Sequence, residues 1–133
     1  RCEALKRVLP ESQILSGDAA NTILPKVDFI SQSTVFTSIL DKNFQAQLAN
    51  NLWQALKPSG VFLWYDFVYN NPRNPDVAGV SKSRIRELFP EAQAVEFHSC
   101  TLAPPIGRRV GRFYNWLNWP VLRTHLVAAI YKS

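Results

Sequence analysis

Hydrophobic positions recur every four residues between Asp41 and Leu56: Phe44, Leu48, Leu52 and Leu56, with Ala49 and Trp53 widening the stripe. That period predicts an amphipathic helix with one face turned to a core. Asp41 is placed to cap its N-terminus, and Lys57, Pro58, Ser59 and Gly60 to stop it. The next run, VFLWYDFVY from Val61, is apolar through Tyr65 with one acid behind it. This is the pattern of a strand covered on both faces.

Weaker signals surround this pair. Ala4, Leu5, Val8 and Leu9 fall at helical spacing and stop at Pro10. A short strand is expected at Gln13 to Leu15, closed by Ser16, Gly17 and Asp18, and a second at Val27 to Ser31, running into Gln32, Ser33 and Thr34. NNPRNPDVAG reads as a loop. Ser81 or Ser83 can cap a short helix through Phe89, and AQAVEFHSCTL and HLVAAIYKS read as strands joined through the turn APPIGRR. Helix, strand, strand, helix, strand, helix, strand, strand predicts an α/β domain over residues 1–133: a mostly parallel sheet, helices on its faces, and an antiparallel closing pair.

Composition narrows the class. The 133 residues suffice for one domain with a sizeable core, and 47% hydrophobic with 19% charged residues is globular. No apolar run approaches the roughly 20 residues of a membrane span, and no signal-peptide core opens the chain. Cys2 and Cys100 show neither metal nor redox spacing, so reduced thiols in a cytoplasmic protein are expected. The net charge of +5 favours anionic partners without identifying one. Methionine is absent and the chain opens directly on helix, so a piece of a longer protein is expected.

Four stretches, taken in order, carry a family resemblance: SGDAANTILP, VDFISQSTVF, NNLWQALKPSG and VFLWYDF. They resemble the later part of a class I S-adenosylmethionine-dependent methyltransferase: third strand with its adenine-binding acid, fourth strand, following helix and fifth strand. The resemblance covers essentially the whole chain and implies an incomplete Rossmann-like sheet. It implies that Asp18 accepts a hydrogen bond from the adenine amino group and that the Ala19 N–H reaches a ring nitrogen. Gln32 and Ser33 would flank the amino-acid end and the methyl group of S-adenosylmethionine. Plain turn chemistry is the competing reading: Asp18 after Gly17 is a good turn residue, and Gln32 to Thr34 can cap the turn after their strand.

The family's glycine-rich first turn has no counterpart, because glycines 17, 60, 79, 107 and 111 form no Gly-x-Gly cluster. Weak or absent cofactor binding by this chain alone is therefore expected. LKPSG also carries Ser59 where the family usually has glycine. In the family's sheet the two missing strands separate the third strand from the fourth. Without them the Val27 strand becomes an open edge, expected either to pair with a second copy or to take the Gln13 to Leu15 strand beside it.

Asp66, ending the fifth-strand run, is the candidate base or acceptor-positioning group, with Tyr65 lining the same pocket and Arg73 meeting an anionic acceptor. In GRRVGRFYNWLNWPVLRTH, Trp116 and its aromatic neighbours interleave with arginines. Core packing or a lid over an apolar acceptor, a membrane-surface segment and a nucleic-acid stacking surface are the readings, packing or lid being preferred. His98 reads as a structural histidine, and no metal-binding constellation stands out. The function expected is part of a methyltransferase for an unidentified small molecule, this chain alone being inactive. The rival is a non-catalytic binding or dimerisation domain.

Overall fold

The computed structural model describes residues 2–70, 74–100 and 123–133. Its elements are helix α1 (Cys2–Val8), strand β1 (Val27–Ser33), a 3-10 turn (Phe36–Ser38), helix α2 (Lys42–Ala55), strand β2 (Leu56–Phe67), helix α3 (Lys82–Leu88), and strands β3 (Ala92–Ser99) and β4 (His125–Lys132). The sheet order is β1-β2-β4-β3. β1 and β2 are parallel, while β4 runs antiparallel to both β2 and β3. Three of the four strands thus point one way, and the closing pair is antiparallel as expected.

The long helix forms where its stripe places it. Asp41 caps it, its Oδ1 accepting from the N–H groups of Asn43 (2.8 Å) and Phe44 (3.3 Å). Leu48, Ala49 and Trp53 are buried against the sheet, while Phe44 stays at the solvent boundary. In β2, alternate residues Phe62, Trp64 and Asp66 are buried, and in β4 Leu126, Ala128 and Ile130 match them. Ile85, Leu88 and Phe89 from the α3 region complete this core. Phe36 lies 4.4 Å from Trp64, and Phe89 5.1 Å from Phe62, ring centre to ring centre. Each such fully buried side chain contributes about 1.5–3 kcal/mol by leaving water.

Two expectations need correction. Residues Gln13 to Leu15 form no strand, and Leu15 is exposed. Three residues with no neighbouring strand to accept their backbone bonds do not hold an extended ladder. Nor does the first strand repack beside β1, which remains the sheet's edge. The second correction concerns Lys57 to Gly60, which do not merely stop the helix: β2 already begins at Leu56. The pairing jumps from Val27 opposite Leu56 to Phe29 opposite Val61, so the four residues bulge out of β2. Ser59 there has φ +61°, the left-handed region where glycine is at ease. A Cβ on Gly60 would meet Leu56 Cδ1 at 2.7 Å and the Lys57 carbonyl at 2.8 Å. An ion pair from Lys57 Nζ to Asp28 (2.9 Å) fastens the bulge to β1.

Candidate functional site

Parallel β1 and β2 end side by side, with Gln32 opposite Trp64 and Ser33 opposite Tyr65. Because Phe67 pairs with His125 and Ser99 with Leu126, the start of β4 and the end of β3 reach the same rim. Ligands of open α/β sheets bind outside such carboxyl ends. The rim therefore carries Gln32, Ser33, Tyr65, Asp66, Phe67 and His125.

Alternation along β2 sends its two central candidates to opposite faces. Asp66 turns toward the helices and is 1% exposed. Its Oδ1 accepts from the Thr37 hydroxyl (2.6 Å) and the Phe67 N–H (3.2 Å), and its Oδ2 from the Thr37 N–H (3.3 Å). The Thr37 carbonyl in turn accepts from the Ala78 N–H at 2.8 Å. The carboxylate thus ties the turn after β1 to the end of β2, and the Thr37 carbonyl carries the link on to the loop after β2. Gln45 braces the same turn, its Nε2 donating to the carbonyls of Phe36 (3.0 Å) and Ile39 (2.8 Å).

Burial pushes the Asp66 carboxyl above the ordinary aspartate range. The two Thr37 donors, the Phe67 N–H and the Gln32 amide each offset part of that push. Gln32 Nε2 itself is buried and makes no hydrogen bond of ordinary geometry, while Gln32 Oε1 accepts from the Val35 N–H at 3.2 Å. A buried carboxylate with both oxygens engaged does not suit the expected role of proton acceptor for a bound substrate. Asp66 fits a structural brace instead.

Tyr65, by contrast, lies on the other face, where its ring stacks on His125 at 5.5 Å and 15° between planes. Phe67 meets the same imidazole edge-on at 6.0 Å. Burial lowers the His125 pKa below its ordinary value, and the Asp66 charge restores part of the loss. Neither His125 nor Thr37 stood out in the sequence. Parity was the available signal for His125: it is in step with Val127, Ala129 and Tyr131, and out of step with buried Leu126, Ala128 and Ile130. Thr37 had no such signal, since its partner lies 29 residues away.

The Asp18 turn sits apart from this network. Asp18 is exposed, its Oδ1 accepting from the Ala20 N–H (3.0 Å) and its Oδ2 from Asn21 Nδ2 (2.5 Å). The turn is docked on α2, where Asn51 Nδ2 donates to the carbonyls of Ala19 (2.7 Å) and Thr22 (2.8 Å), and Gln47 Nε2 to Asn21 (2.6 Å). No hydrogen bond joins it to Gln32 or Ser33 among the described residues. Arg73, Trp116 and the arginine-aromatic stretch lie outside the described residues. His98 is exposed on β3. A cleft of about 240 Å³ opens between the two rim loops on the helix side, lined by Leu40, Lys42, Gln45, Ser81 and Arg84 among others, and holds none of the expected site residues. Among the described residues no group of side chains is arranged for a metal, and no helix is long and apolar enough to cross a membrane.

No family profile and no curated protein sequence matches the chain. Solved structures do. An S-adenosylmethionine-dependent methyltransferase from Archaeoglobus fulgidus superposes with a TM-score of 0.65 at 15% identity, covering 100% of this chain and 73% of that one. The N-methyltransferase NodS from Bradyrhizobium japonicum, solved with S-adenosyl-L-homocysteine, gives 0.68 at 14% identity, covering 98% and 60%. The fold is that of a class I S-adenosylmethionine-dependent methyltransferase, in part. A possible exported protein from Bordetella parapertussis gives 0.69 at 11%, covering 98% and 49%. The chain thus spans about half to three quarters of the length of these three structures.

The residues present fit the methyltransferase cofactor only in part. Gln32 brings to the rim a buried amide whose Nε2 makes no hydrogen bond of ordinary geometry, and Ser33 brings an exposed hydroxyl. The Asp18 carboxylate is already engaged within its own turn.

Proposed function

We propose that this chain forms the acceptor-side part of a methyltransferase that transfers a methyl group from S-adenosylmethionine to a small molecule. The observation that carries this reading is the rim itself, where the ends of two parallel strands set Gln32 opposite Trp64 and Ser33 opposite Tyr65, within a methyltransferase sheet. The cofactor, when bound, supplies an electrophilic methyl group on a sulfonium. The chain's own part is orientation: Asp66 and Gln45 fix the loop after β1, and alignment of two reactants is worth on the order of 7–11 kcal/mol of such a barrier. Arg73 and Trp116 belong to the acceptor side of this proposal. The 133 residues alone bind the cofactor weakly or not at all, since they include no glycine-rich turn. The test is to incubate the full-length gene product with methyl-tritiated cofactor and a small-molecule extract of its source cells. Label appearing in the small-molecule fraction supports the reading; no transfer, or label only in protein, counts against it.

The second reading, a non-catalytic dimerisation domain, draws on the open edge of β1, where Phe29 is 56% exposed. Sedimentation of this chain distinguishes the two: a stable dimer, lost when proline replaces an outward-bonding residue of β1, favours the second.

A further inference from the structure

Asp66 leaves the rim without the proton acceptor expected there, and the other face of β2 supplies one. His125 begins β4 at the rim, its ring held against Tyr65 and meeting Phe67 edge-on. Its Nδ1 lies 3.2 Å from the Thr124 hydroxyl, while Nε2 has no hydrogen-bond partner among the described residues. With the ring hydrogen on Nδ1 and donated to Thr124, Nε2 presents a lone pair. Tyr65 and Phe67 make the surroundings flat and aromatic, a surface that favours a planar ring lying across it.

We infer that His125 is the proton acceptor of the transfer and that the acceptor substrate is a planar aromatic hydroxyl compound, a phenol, packed against Tyr65 and Phe67. This rests on the methyltransferase reading above. The phenol oxygen bonds the methyl carbon, its proton passes to His125 Nε2, and the electron pair of the broken carbon–sulfur bond leaves with sulfur. The imidazolium then returns the proton to water. Burial lowers the ring's pKa and so favours its neutral form, with the Asp66 charge offsetting part of that effect. Among the described residues, the ionisable and polar groups near it include Thr124 and Tyr65 beside it, Asp66 on the far side of β2, Cys100, whose N–H bonds the His125 carbonyl at 2.9 Å, and Arg123, whose Nη1 bonds the Ser99 carbonyl at 3.0 Å.

The test has two readouts on the full-length gene product. In the first, made without cofactor, nitrogen NMR follows His125 Nε2 while 4-methylphenol or 4-methylanisole is added. An upfield shift with the phenol and none with the anisole, which lacks the hydroxyl proton, is expected; equal or absent shifts overturn the inference. In the second, methyl transfer to 4-methylphenol is compared with transfer to 4-nitrophenol, which ionises far more readily. His125→Phe preserves an aromatic ring and removes both nitrogens. It should lower kcat/KM for 4-methylphenol by about 10²-fold or more, with a much smaller loss for 4-nitrophenol. Equal losses mean a structural role, and no loss or no wild-type transfer to either phenol removes the assignment. Binding of S-adenosylhomocysteine by the wild type separates the failures: if it binds and phenols are ignored, only this inference falls, and if it does not bind, the methyltransferase reading falls with it.

Discussion

Two aspartates come after apolar runs in this chain, Asp18 and Asp66, and the fold uses them in opposite ways. Asp18 is exposed and satisfied by groups two and three residues ahead, Ala20 and Asn21. Asp66 is buried and satisfied largely by Thr37, 29 residues back. The first carboxylate shapes a turn that docks on α2. The second fastens the turn after β1 to the end of β2. A carboxylate at a strand end therefore has no fixed meaning: burial and the sequence distance of its donors decide what it does.

The largest effect separating the two should come from Asp66→Ala, which strands the Thr37 hydroxyl and N–H in the interior. We expect a loss of about 2–3 kcal/mol in urea unfolding, against under about 1 kcal/mol for Asp18→Ala, whose partners turn to water. Similar losses at the two sites would erase the distinction. Thr37→Val should come next, costing about 1–2 kcal/mol while raising the Asp66 pKa further, because it removes the donor that most favours the charged form. A carbon NMR titration of the carboxyl reads that direction.

Acidity sharpens the same contrast. Asp66 is held above its ordinary value of 3.8 in the folded chain, so the folded state binds this proton more tightly than the unfolded state. Its contribution to stability therefore rises as pH falls through the folded pKa and levels off below the unfolded value. Asp66→Asn, which resembles the neutral acid, should abolish that increment when urea midpoints are compared across the acidic range. The smallest expected effect lies elsewhere in β2. Ser59→Gly relieves the positive φ and should raise stability by about 0.5–1 kcal/mol, read as a higher urea midpoint with an unchanged slope.

The parts of the fold visible in sequence were those governed by local periodicity. The Asp41 cap, the four-residue stripe of α2, the apolar run of β2 and the short capped helix after Ser81 all form where their patterns place them. Parts that depend on distant partners were not visible. Gln13 to Leu15 has strand character but no neighbour to pair with. Lys57 to Gly60 looks like a helix stop, and only the register against β1 reveals a bulge. At the rim, Gln32, Ser33, Tyr65 and Asp66 lie at the carboxyl ends of their strands, yet the face each side chain takes is set by the sheet. Tyr65 and Asp66 are sequence neighbours that look in opposite directions, and His125 joins Tyr65 through a pairing between β2 and β4 that is set about sixty residues along the chain.

The methyltransferase proposed above needs a glycine-rich turn that these 133 residues do not contain. Calorimetric titration of S-adenosylhomocysteine into the full-length gene product, with the 133-residue chain alongside, tests it most directly. Saturable one-to-one binding by the full-length product, with little or none by the chain alone, is expected. An absence of binding by the full-length product would contradict the proposal.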